Sequence, residues 1–322
     1  MSPDMGEAPR TVIVREGEHG LPFSKGLTAN TIIVSGLAPA RAYQVAQLVE
    51  DRLRTEARAS IDATELRELV IAAIREEAGD RYAVAYEKWQ TVGDLDVPLV
   101  ILIGGGTGVG KSTVATQLAA RLGIVRLIST DSIREVMKGT FSEEFLPTLY
   151  TSSFDAADVV KAKLSPGDDA VVVGFRDQVW AVRVGIHALI ERAVTESTDV
   201  VIEGAHIVPG FLDPEAFAGK AVIVPLVLQV DDEDLHRSHF YVRAHDSRAR
   251  PVERYLAHFD NIRKIQKYIK SLALQHGVPI ISNYTLDACL RQVIDHVIDR
   301  ATEAAKTLPH RPGVRAIGGG TR

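Results

Sequence analysis

The spacing of apolar residues changes near position 93, and the change divides the chain in two. Before it the pattern is that of amphipathic helices, expected over 39–58 and over 64–77. In the second, Leu66, Leu69, Val70, Ala73 and Ile74 recur at helical intervals. A further helix holds Tyr82 and Tyr86, and ahead of all of them a short strand is expected at 11–15, with turns at 16–20 and 21–26. A short polar linker covers 91–96. After it come continuous apolar runs of strand length at 97–103 (VPLVILI), 124–128, 200–202, 221–230 and 278–281. Helical patterns lie between them around 178–196, 252–275 and 286–305. Uninterrupted apolar strands alternating with helices predict an α/β fold, a parallel sheet with helices on both faces. Ligands of such a sheet bind at the carboxyl ends of its strands. The expected division is a small, mostly helical domain at 1–92, the α/β domain at 93–305, and a disordered tail at 306–322, where Pro and Gly accumulate.

The run at 97–103 leads into GGTGVGKST at 105–113, and a helical pattern with Val114, Ala115, Leu118, Ala119 and Leu122 follows. Gly105, Gly110, Lys111 and Ser112 satisfy G-x-x-x-x-G-K-[ST] in full, between strand and helix, which is the setting of a phosphate-binding loop. Gly105, Gly106, Thr107, Gly108, Val109, Gly110, Lys111, Ser112 and Thr113 are therefore expected to hold the phosphates of ATP. Glycines let successive N–H groups turn inward, and the helix start adds its positive dipole end. Lys111 is expected at the β- and γ-phosphates, and Ser112 at Mg²⁺.

Composition narrows the field. The chain has 322 residues, long enough for two cores, with 46% hydrophobic and 25% charged residues. A net charge of −5 argues against a nucleic-acid partner, and 6% aromatic content leaves few surfaces on which bases could stack. No apolar run approaches the roughly 20 residues of a membrane span. With a single cysteine, Cys289, and no signal-peptide pattern in MSPDMGEAPR, the expectation is a cytoplasmic protein without membrane contact.

Further chemistry clusters at the predicted strand ends. Asp131, in STDS at 129–132, stands where a kinase needs a carboxylate to orient and partly deprotonate an attacking hydroxyl; the plainer reading is a helix cap. Arg134, one turn later, either meets the acceptor's anionic group or is a solvated helix charge. Glu203 ends the run at 200–202 and is the candidate second acidic element for the metal, with Asp231 as its competitor. His206 is either a substrate contact or a packed side chain. Residues 235–270 carry nine Lys or Arg against three Asp or Glu, a local net charge of +6. Arg237, Arg243, Arg248, Arg250 and Arg254 are its dense part. They are read as a lid that neutralises the transferred phosphoryl group, against a solvated basic face as the plain alternative. His236, His239 and His245 lie among arginines and far from the only cysteine, which argues against zinc.

Taken together, LPFSKG at 21–26, GGTGVGKST at 105–113, STDSIREVM at 129–137, GFRDQV at 174–179, IEGAHIVPG at 202–210, RSHFYVR at 237–243 and HFDNIRKIQKYI at 258–269 resemble the 2-phosphoglycerate kinase family over nearly the whole chain. The resemblance implies a P-loop kinase domain, transfer of the ATP γ-phosphoryl group to 2-phosphoglycerate, and a small anionic phosphorylated substrate as the partner. Arg134 and Arg176 are its candidates for the acceptor's charges, and Arg237 and Arg243 for the catalytic lid. Residues 14–26 resemble an ATP-cone, a nucleotide-sensing module, with Lys25 and Arg15 expected at the allosteric phosphate; a purely structural cap is the alternative. Arginine-rich sites suit glycerate and inositol phosphates alike. A nucleotide-driven switch and a kinase of nucleic-acid ends or nucleotide sugars remain as other readings, the former having no need of Asp131 beside Arg134.

Overall fold

A computed structural model of the chain describes residues 11–93, 95–160, 164–246 and 252–308, the side chains of 243–246 excepted. The expected tail lies largely outside the described residues. The chain forms two compact units, one built on 11–96 with 121–123 and the stretch from Ile298, the other on 97–120 and 124–297.

The first unit holds more sheet than the apolar spacing predicts. Strands β1 (Ile13–Glu16), β2 (His19–Pro22) and β3 (Ser60–Asp62) pair in the order β2-β1-β3, the first pair antiparallel and the second parallel. Four helices follow the pattern around them: α1 (Lys25–Ile33), α2 (Pro39–Thr55), α3 (Ala63–Ala78) and α4 (Asp80–Gly93). The turn expected at 21–26 is in fact the end of β2 and the start of α1. Ser24 caps that helix by accepting a hydrogen bond from the Leu27 N–H. Asp62 likewise ends β3 and caps α3 through the Thr64 N–H.

The second unit is built on a five-stranded parallel sheet. Its strands β4 (Leu99–Gly104), β5 (Leu127–Ser129), β6 (Val200–Glu203), β7 (Val222–Gln229) and β8 (Ile280–Ser282) run in the order β5-β6-β4-β7-β8. Every residue of β4 is buried, as a central strand covered on both faces requires. Val100 and Leu102 pack with Val200 and Ile202 on one face, against Ile133, Val182 and Ile186 of the helices α6 (Thr130–Lys138) and α7 (Ala170–Thr195). The remaining helices are α5 (Lys111–Leu122), α8 (Glu233–Asp246), α9 (Val252–Ala257), α10 (Phe259–Gln275) and α11 (Leu286–Ala305).

Two helix boundaries differ from the pattern. α7 begins eight residues before the expected 178, because Asp169 caps it through the Val171 N–H and the β-branched run Val171–Val173 is helical here. The helix expected over 252–275 breaks at His258, whose Nδ1 lies 3.0 Å from Asp155 Oδ1, while Arg254 donates to Asp155 Oδ2 at 2.8 Å. Arg254, grouped with the lid by sequence, is thus tied to the 152–155 turn. No described helix is long and apolar enough to cross a membrane.

Candidate active site

In the loop between β4 and α5, four successive carbonyls are each met by a side-chain donor. Lys111 Nζ donates to the Gly106 carbonyl at 2.7 Å, and His236 Nε2 to Thr107 at 2.8 Å. His239 Nδ1 donates to Gly108 at 2.9 Å, and Asn283 Nδ2 to Val109 at 3.0 Å. Carbonyls engaged by side chains leave the loop N–H groups as the donors a phosphate cradle needs. The fit is tight at Gly110, where φ is +86° and a Cβ would stand 2.4 Å from Asn283 Nδ2. At Gly108 (φ +86°) a Cβ would meet the Phe240 ring at the same distance. No larger residue fits either place.

His236 is read as the neutral Nε2–H tautomer. Thr107 O can only accept, and Arg263 Nη1 approaches His236 Nδ1 at 3.4 Å as a donor. Burial pushes this ring down to about 4; its hydrogen bond to Thr107 opposes that shift, while Arg263, His239 and Lys111 add to it. The paired histidines that invite a metal reading are thus engaged with the phosphate loop.

Ser112 Oγ donates to Glu203 Oε1 at 2.9 Å, so the hydroxyl of the loop and the carboxylate at the end of β6 already form a pair of oxygen donors. Asp231, the competing carboxylate, is taken up by Gln229 Nε2 at 2.8 Å and Lys270 Nζ at 3.1 Å. Oxygen donors on a hydroxyl and a carboxylate suit Mg²⁺.

The start of α6 separates two roles that the sequence left together. Ser129 is the cap, accepting from the Ser132 N–H, so capping does not require Asp131. Asp131 lies in the first turn, 61% exposed, with Arg134 Nε 3.7 Å from it. Arg134 itself is a brace: Nη1 donates to the carbonyls of Leu149 and Thr151 at 2.8 and 2.6 Å, and its side chain is only 14% exposed. That engagement runs against the expected acceptor contact. His206 is also not a surface contact. It is buried, with Nδ1 2.8 Å from Thr130 Oγ1 and Nε2 3.0 Å from Gln178 Oε1. Burial depresses the ring to about 4; Asp131 opposes this, and Arg134 and Lys111 reinforce it. The fields of the carboxylate, the arginine and the loop lysine therefore all reach this buried imidazole.

No protein-family model matches the chain. Individual relatives do. A 2-phosphoglycerate kinase from Methanothermobacter thermautotrophicus is 40% identical over 290 residues, covering 88% of this chain and 94% of its own. Those of Methanopyrus kandleri (35% identical; 93% and 90% covered) and Pyrococcus horikoshii (38%; 92% and 96%) are similar over the same breadth. The chain belongs to the 2-phosphoglycerate kinase family. Among solved structures, a gluconokinase from Sinorhizobium meliloti (15% identical, 65% of this chain and 94% of that one, TM-score 0.37) and a shikimate kinase from Acinetobacter baumannii (16%, 65% and 97%, 0.36) are distant likenesses.

In this member of the 2-phosphoglycerate kinase family the expected lid is only partly in view. Arg237 of α8 lies with its guanidinium carbon 3.8 Å over the Phe259 ring. Arg243 belongs to the same helix, but its side chain, with Arg248 and Arg250, lies outside the described residues. Arg176 is exposed on α7. The sequence did not mark Asn283, Gln178 or Thr130, each a buried polar residue, nor His236 and His239 as donors to the loop. The one available signal was the i, i+3 spacing of the two histidines, which puts them on one helix face.

In the first unit, the two basic residues expected at a second nucleotide are not among those that line its cavity. Lys25 donates to Gln47 Oε1 at 2.6 Å, sits 3.4 Å from Glu50 and 4.8 Å from the Tyr43 ring centroid. Arg15 is exposed on β1. The cavity is lined instead by Val14, Phe23, Leu66, Val70 and Tyr86, with Arg67 as its basic residue.

Proposed function

We propose that this protein transfers the γ-phosphoryl group of ATP to the free hydroxyl of 2-phosphoglycerate, giving 2,3-bisphosphoglycerate and ADP. The observation that carries the reading is the phosphate loop itself, with Lys111 held at the Gly106 carbonyl and Ser112 paired with Glu203, in a chain of the 2-phosphoglycerate kinase family. In the proposed step the acceptor hydroxyl oxygen bonds to the γ-phosphorus, its proton goes to the Asp131 carboxylate, and the β–γ bridging bond breaks. Lys111 leaves the Gly106 carbonyl for the transferring group, whose spreading charge it neutralises. Ser112 and Glu203 would hold Mg²⁺, the hydroxyl directly and the carboxylate through water, and the metal would supply charge neutralisation at the phosphates. Arg176, exposed on α7, and Arg237 and Arg243 on α8 are the cations proposed for the acceptor and the transferred group; Arg134 serves by bracing. A cytoplasmic setting goes with this reading, since Cys289 is buried and free.

An ATP-consumption screen over phosphorylated three-carbon acids and inositol phosphates tests the acceptor. The expected result is the highest kcat/KM with 2-phosphoglycerate. A higher value with any inositol phosphate would overturn it, and no turnover with any acceptor would favour a nucleotide-driven switch instead. For the first unit we propose adenine-nucleotide sensing at the cavity beside Arg67, which has an apolar wall for a base and a cation for a phosphate. Equilibrium binding should then count two nucleotides per chain; a count of one leaves the unit a structural cap.

A further inference from the structure

We propose that Gln178, His206 and Thr130 form a directed hydrogen-bond relay that positions Asp131. The inference rests on the reading of Asp131 as the carboxylate that serves the acceptor hydroxyl.

The direction of every bond in the relay follows from groups that can only accept. Gln178 Nε2 reaches the carbonyls of both Thr148 and Thr151, so the amide nitrogen must point there and Oε1 must point at His206. Oε1 can only accept, so His206 Nε2, 3.0 Å away, carries the proton. A neutral imidazole then has a bare Nδ1, which accepts the Thr130 hydroxyl proton across 2.8 Å. All three side chains are at most 1% exposed, so water does not substitute for any partner.

The relay is anchored at both ends. At Thr130 the backbone just past the end of β6 comes so close that a Cβ on Gly204, whose φ is +155°, would fall 1.7 Å from Thr130 Oγ1. Thr130 is therefore pinned between Gly204 and His206, and Asp131 is its neighbour in the first turn of α6. At the other end, the segment 148–151 receives Gln178 from α7 and also Arg134 from α6, which donates to Leu149 and Thr151. Asp177 Oδ2 takes the Thr148 hydroxyl at 2.9 Å and completes the grip. The relay thus closes a ring from α6 through the β6 end to α7 and back to α6. It fixes how the first turn of α6 is rotated, and with it where the Asp131 carboxylate stands.

Thr130→Val tests this, because it keeps shape and removes the donor. A base displaced by about 1 Å can cost on the order of 10²-fold in rate. The expected result is a kcat lower by roughly 10- to 100-fold, an ATP KM within about twofold of wild type, and recovery to within about threefold in Thr130→Ser, which restores the hydroxyl. Asp131→Asn is measured beside it. If Asp131→Asn is inactive while folded Thr130→Val turns over within about twofold of wild type, the relay is refuted and the reading of Asp131 stands. If Asp131→Asn keeps its activity, that reading fails and the relay's purpose with it. Nitrogen NMR of ¹⁵N-histidine-labelled wild-type protein, assigned through His206→Gln, gives a second measurement independent of activity and of whether Thr130→Val folds. It should find His206 protonated at Nε2 only at neutral pH; a proton on Nδ1 would overturn the proposal.

Discussion

Replacing His206 with glutamine and lowering the pH from about 7 to about 5 should show how much of the fold's acid sensitivity one buried ring supplies. Desolvation holds His206 at about 4 against an ordinary 6.5, with Asp131 opposing and Arg134 and Lys111 assisting. An unfolded chain takes up a proton on this ring below about 6.5, whereas the folded one resists down to about 4. Between those values the unfolded state binds more protons, so stability falls as the pH is lowered through the window. At about 1.4 kcal/mol per unit the gap amounts to roughly 3 kcal/mol when fully lost, and to about 2 kcal/mol by pH 5. Urea unfolding of both proteins at the two pH values measures it. The variant should be the weaker at neutral pH, since it loses a buried partner for Thr130, yet it should lose about 2 kcal/mol less on acidification. An equal loss in both proteins, or an NMR titration of His206 near its ordinary value, would refute the reasoning.

Lys111→Ala should leave the fold intact and lower kcat by roughly 10²- to 10³-fold, since the cation proposed for the transferring group is gone. Activity within about twofold of wild type, in a sample free of contaminating kinase, would remove Lys111 from the mechanism. Glu203→Gln should raise the Mg²⁺ concentration needed for half-maximal rate by about 10- to 100-fold, as loss of a carboxylate acting on the metal through water does. An unchanged Mg²⁺ dependence would hand the role back to Asp231.

What the amino-acid sequence determined by itself was local. A continuous apolar run, a glycine loop and an amphipathic helix, in contiguous order, specify the strand, the phosphate loop and α5, because the pattern and the backbone geometry it imposes lie within a few residues of each other. The same logic carried the parallel sheet and the long helix α11, whose expected bounds match the structure. It worked less well where an element depends on partners rather than periodicity. β3 is three residues long and exists by pairing with β1, and α7 starts early because Asp169 caps it. The site itself was decided by tertiary structure. His236, His239 and Asn283 stand 129, 131 and 174 positions from the carbonyls they hold, and no periodicity links such distances. His206 and Arg134 had the right chemistry for the substrate, but folding directed both inward onto Gln178, Thr130 and the 149–151 carbonyls. Spacing encodes which face a residue occupies, and only the folded chain determines which polar group waits there, because a buried donor must be met by whichever acceptor the packing brings to it.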